Sequence, residues 1–156
     1  RAAYLVPADA HPNYVKLNGY PLSLFYANLA KLKARSATAI IDSCFSGASH
    51  KGMLVSRASP LVLSAAAPEP AAGVDVFTSA SGQEISSWYE EKGHSLFTYY
   101  LLKAVQDGAK AGRTLTNAEV RDALGERVPV QARRLFGRIQ TPAFSGAAQA
   151  SFLGAQ

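Results

Sequence analysis

One cysteine, Cys44, stands two residues after Asp42 in the stretch Ala37–Gly47, ATAIIDSCFSG. A thiol becomes a nucleophile when a base or an imidazolium supplies thiolate, and donors must then hold the oxyanion that forms. Free cysteine is also common as a small buried hydrophobe. Here the thiol follows the apolar run instead of sitting inside it. Its neighbours Ser43, Ser46 and Gly47 suit a tight, solvent-reachable turn. The chain has three histidines to weigh as bases. His11 precedes Pro12 in an irregular loop, and His50 lies in the segment after the cysteine. His94 comes just before a helix start, where the positive end of the dipole disfavours imidazolium. None ends a predicted strand, so none recommends itself as the partner of Cys44.

The elements that must position this chemistry follow from pattern. Thr38 to Ile41 is β-branched or apolar without charge, the mark of a strand buried on both faces of a parallel sheet. Reacting groups in open α/β sheets sit beyond the carboxyl ends of such strands. Tyr4–Pro7 reads as a short strand, and Asp9 to Gly19 as an irregular loop. Leu22, Phe25, Tyr26, Leu29 and Leu32 recur at helical spacing, and Lys31, Lys33 and Arg35 suit that helix's C-terminal end. Val74–Thr78 is a second strand, running into Ser79, Ala80, Ser81 and Gly82. Ile85–Tyr89 carries the only tryptophan, Trp88, and Glu90, Glu91, Lys92 and Gly93 follow as a turn.

Ser95 is placed to cap a helix carrying Phe97, Tyr100, Leu101, Ala104 and Val105, with Gly108 as its stop. Thr116 and Glu119 have capping-box spacing, opening a helix through Val120, Leu124 and Val128 that should end at Pro129. The tail from Val130 reads as polar. Between the two strands, residues 48–73 are rich in Ser, Ala, Pro and Gly, with Leu61–Leu63 as a strand candidate and AAAPEPAAG as a connector. Alternating strands and helices argue for an α/β layered fold.

At 156 residues, 48% apolar and 17% charged, the chain is one globular domain. A single cysteine excludes an internal disulfide and is compatible with a reducing compartment, so a cytoplasmic setting is expected. No apolar run approaches the roughly 18 residues of a membrane span, so no membrane partner is expected. The net charge of +5 is scattered and lacks a dense basic stripe, so nucleic acid is not expected either. No cofactor is called for. The opening Arg1-Ala2-Ala3-Tyr4-Leu5-Val6 reads as the middle of a domain, and a fragment is expected.

Asp42-Ser43-Cys44-Phe45-Ser46-Gly47 after an apolar strand resembles the catalytic-cysteine motif of caspase-like peptidases, bacterial metacaspase relatives in particular. Four further stretches match in order. They are Tyr4-Leu5-Val6-Pro7 with Asp9, Phe77-Thr78-Ser79-Ala80 with Ser87-Trp88, Gly93 to Leu102, and Gln140-Thr141-Pro142. The resemblance implies a three-layer α/β/α sandwich with a mostly parallel central sheet, over residues 1–156. It implies a Cys–His dyad whose histidine motif would precede Arg1. The fragment alone would then be inactive or nearly so, and the missing N-terminal part would be its partner.

The resemblance also frames specificity. Animal caspases carry Gln two residues before the cysteine and Arg after the Ser-Trp pair, together gripping an acidic side chain. This chain has Asp42 and Tyr89 there, which inverts the charge and implies cleavage of peptide or protein substrates after Arg and Lys. Ser79, Ser81, Ser87 and Trp88 are the remaining candidates for the pocket lining; alternatively, Asp42 is a loop- or helix-capping carboxylate. Segment 48–73 corresponds to the linker that many relatives cut, with Lys51 and Arg57 as candidate self-processing positions. Some metacaspases bind calcium through several aspartates, but with Asp9 the only carboxylate before Asp42 no metal site is expected. The rival readings are an inactive caspase-like interaction module and an acyl hydrolase with another base. Oligomeric state is left open.

Overall fold

The computed structural model describes residues 3–7, 9–11, 14–43, 48–49, 52–53, 69–70, 72–82 and 84–153. Two strands carry the centre of the molecule. β1 (Tyr4–Leu5) and β2 (Tyr20–Pro21) form a small antiparallel pair, with the single helical turn α1 (Val15–Asn18) between them. Helix α2 (Leu22–Ala30) leads into β3 (Ala37–Ile41). β4 (Ala48–Ser49) and β5 (Gly52–Met53) pair with each other, and β6 (Val74–Thr78) then returns beside β3. β3 and β6 run parallel in register from Ala37↔Val74 to Ile41↔Thr78, so their carboxyl ends lie side by side.

β7 (Trp88–Tyr89) and β8 (His94–Ser95) form a short hairpin ahead of α3 (Leu96–Lys110) and α4 (Asn117–Phe136). β9 (Ala143–Ser145) closes the sheet antiparallel to β6, giving the order β3-β6-β9. This described sheet is mixed, with one parallel and one antiparallel pairing.

Every residue of β6 is buried because helices cover both faces of the strand. Alternation sends Val74 and Val76 to one side, where they meet Ala39, Ile41, Leu22 and Tyr26. Phe77 faces the other side, against Leu96, Phe97, Leu101, Val120, Leu124, Val128 and Ala132. Fully buried leucines such as Leu22, Leu96 and Leu124 each contribute roughly 1.5–3 kcal/mol relative to exposure.

The element boundaries depart from the sequence pattern in three places. Helix α2 stops at Ala30, leaving Leu32 exposed, because the last turn tightens through Leu32 N–H to Leu29 C=O. Gly108 does not stop α3. It lets Leu115 approach, since a Cβ there would stand 2.9 Å from Leu115 Cγ, and the chain turns instead at Gly112, with φ +66°. Helix α4 runs through Pro129 to Phe136, overturning the expected stop and the polar tail. Pro129 forgoes a bond to the Gly125 carbonyl at a cost of about 3 kcal/mol. Burial of Val128 and Ala132 on either side of it offsets that loss.

Candidate functional site

The parallel register of β3 and β6 determines what gathers at their carboxyl ends. Ser79 N–H donates to Ile41 C=O at 3.0 Å, continuing the ladder one step past the strands. Ser79 Oγ then bridges Ser43, accepting from its N–H at 3.1 Å and donating to its C=O at 3.2 Å. The backbone leading to the thiol is thus anchored up to Ser43. Cys44 itself lies outside the described residues, as do His50, Lys51, Arg57 and Leu61–Leu63.

Asp42 is exposed and meets the start of α3. Ser86 Oγ donates to its Oδ1 at 2.8 Å, Thr98 Oγ1 donates to its Oδ2 at 2.6 Å, and Ser95 Oγ donates to the same Oδ2. Ser95 is also the N-cap of α3, its Oγ accepting from Thr98 N–H at 3.1 Å. The carboxylate thus stands at the N-terminal end of α3, where the positive end of the helix dipole lies. Three hydroxyls from two further segments therefore converge on one carboxylate two residues before the cysteine.

A second layer supports these segments from beneath. Gln140 is wholly buried, accepting from Ser87 N–H at 2.9 Å and donating through Nε2 to Ser79 C=O at 3.0 Å. The same Nε2 lies 3.5 Å from Ser86 Oγ. Glu84 ties the next turn, accepting from Ser81 N–H at 3.2 Å, Thr141 N–H at 2.6 Å and Thr141 Oγ1 at 3.0 Å. Ser81 Oγ donates to Thr141 C=O at 2.9 Å. The segment after α4 thus holds the loop after β6 in place.

The residues expected to line a pocket divide accordingly. Ser79 and Ser87 are buried, and Ser87 Oγ has no hydrogen-bond partner among the described residues. Trp88 is 40% exposed and stands directly opposite Ser95 in the hairpin. Tyr89 turns the other way, packing edge-on against Tyr99 at 5.4 Å and against the α3–α4 core. Burial pushes the neighbouring Tyr100 phenol above its ordinary pKa, and Tyr89 and Tyr99 add to the shift.

His94 lines a surface depression with Lys92, Tyr99, Leu102, Lys103 and Gln106, which neither Asp42 nor its hydroxyl partners border. His11 sits beside the Tyr14 ring at 5.2 Å. Among the described residues no three His, Cys, Asp or Glu side chains cluster to hold a metal, and no helix is long and apolar enough to cross a membrane.

Sequence reasoning did not assign Ser86, Thr98, Glu84 or Gln140 to the site, and read Ser95 only as a cap. Ser95 carried the one usable signal, because a capping residue has a fixed position at a helix entrance. Nothing in the spacing, however, says which loop that entrance faces.

An α/β domain whose hydroxyl and carboxylate groups collect past the ends of parallel strands has the layout of an enzyme that builds its site from loops. A profile of the caspase domain matches residues 2–152, and the chain belongs to that peptidase family. It is a caspase-like peptidase domain with an α/β fold. No curated protein and no solved structure matches the chain.

Proposed function

We propose that this chain carries the nucleophile-bearing part of a cysteine endopeptidase that cleaves after Arg and Lys. Cys44 attacks the scissile carbonyl, and its own N–H helps hold the oxyanion. A histidine contributed from before residue 1 completes a Cys–His dyad, and the assembled domain is a three-layer sandwich with a mostly parallel sheet. Asp42 reads the basic side chain, Trp88 borders it, and Ser79, Ser81 and Ser87 form the supporting wall. Tyr89 acts from behind that wall through its packing on Tyr99. Lys51 and Arg57 are positions where the enzyme processes itself.

The observation that carries this reading is the setting of Asp42. An exposed carboxylate is held by Ser86, Ser95 and Thr98 just before the cysteine of a caspase-family domain. A carboxylate so fixed offers a cation a partner that needs no reorganisation on binding. Fluorogenic peptides differing only in the residue before the scissile bond test this in the full-length protein. Turnover is expected after Arg and Lys, none after Asp, and none at all with Cys44→Ala. Preferred turnover after Asp would discard the specificity, and a full-length protein silent on every peptide would favour the interaction-module reading.

A further inference from the structure

Resting on the substrate reading above, we infer that the hydroxyls around Asp42 make it a one-point reader of cations, and that Thr98 holds back a preference for Arg over Lys. A carboxylate has about four acceptor positions, two on each oxygen. Among the described residues Oδ2 is filled by Ser95 and Thr98, and Oδ1 holds Ser86, which leaves one position, on Oδ1. A guanidinium fork makes two parallel bonds, one to each oxygen, whereas an ammonium is satisfied by one contact here and water elsewhere. With Oδ2 occupied, Arg loses the second bond that normally distinguishes it.

The two hydroxyls on Oδ2 do not leave cheaply. Ser95 is tied to Thr98 N–H as the helix cap. Thr98 lies in the first turn of α3, where a β-branched side chain has few rotamers to move into. They differ in what their removal would disturb. Losing the Ser95 hydroxyl would also uncap the helix, while Thr98→Val keeps the branched shape and the cap and clears one position on Oδ2. That variant gives Asp42 one open position on each oxygen, as a fork requires.

The experiment measures kcat/KM in the full-length protein for two fluorogenic peptides identical except for Arg or Lys before the scissile bond. The parent should turn over both, and T98V should raise the Arg-to-Lys ratio roughly tenfold, the worth of one added charge-assisted hydrogen bond. T98S, which keeps the hydroxyl, should hold the parent ratio. Circular dichroism reports whether each variant is folded, and T98A applies the same test should T98V not fold. Turnover after basic residues with a ratio unmoved in T98V, or moved equally in T98S, overturns this inference alone. A parent that cleaves after neither Arg nor Lys overturns the substrate reading and this inference together.

Discussion

Asp75 sits near the start of β6 and Asp42 just past the end of β3, so two parallel neighbours carry carboxylates at opposite ends of the same sheet. Asp75 is 5% exposed and satisfied by rigid groups: Oδ1 accepts from Ala147 N–H at 2.7 Å and Oδ2 from Asn117 Nδ2 at 2.9 Å. Asn117 in turn donates to Ala147 C=O at 3.0 Å, and Gly146 leaves room for the carboxylate against the chain. That cluster pins the start of α4 and the segment after β9 to the central strand. Asp42 is exposed and held by side-chain hydroxyls at the entrance of α3, so its carboxylate is fixed yet open to solvent. A buried carboxylate with backbone and amide partners is a structural joint, whereas an exposed one with hydroxyl partners is suited to meeting a ligand.

Substitutions at the two ends should separate these roles. The largest effect is expected from Asp42→Ala, which removes the charge partner of a basic substrate. In the full-length protein kcat/KM after Arg and Lys should fall by about 30-fold to several thousand-fold, the span for truncating one side of a close charge pair. Thermal unfolding should change little, within about 1 kcal/mol. An Asp42→Ala enzyme that keeps its turnover but loses its fold would reverse the contrast.

Asp75→Ala should do the opposite, costing about 2–4 kcal/mol in denaturant unfolding by stranding Ala147 N–H and weakening the hold on Asn117. Gly146→Ala attacks the same joint from the chain side. Its φ is +141°, and the added Cβ would collide with Asp75 Oδ1, so a loss of roughly 1–3 kcal/mol is expected. If Gly146→Ala unfolds like the parent, the joint is softer than its packing indicates.

The smallest effect concerns acid. The Glu119 carboxyl is held below its ordinary pKa of 4.5, first by the Thr116 N–H and then by Arg113. A carboxyl lowered on folding adds stability above its unfolded pKa and loses it as pH falls through the folded value. The melting temperature should therefore decline on acidification below about pH 4.5, and Glu119→Gln should flatten that decline slightly. An identical pH profile in Glu119→Gln would show that the capping box of α4 carries none of the acid sensitivity.

Local chemistry was readable directly from the residues. The β-branched run ending at Ile41, the uncharged core of β6, the Ser95 cap and the Thr116–Glu119 box each depend on neighbours a few positions away. The order of motifs around Cys44 was legible for the same reason, and the family match over residues 2–152 agrees with it. Helix ends at Gly108 and Pro129 were misjudged because intrinsic propensity there is outvoted by contacts with Leu115 and by the burial of Val128 and Ala132.

What only the folded chain decided is which polar groups meet. Ser86, Ser95 and Thr98 lie 44, 53 and 56 residues from Asp42, and Gln140 lies 61 from Ser79. No periodicity encodes those pairings. They arise because β3 and β6 run parallel in one register while α3 enters beside their carboxyl ends, so distant hydroxyls are delivered to one carboxylate by backbone geometry.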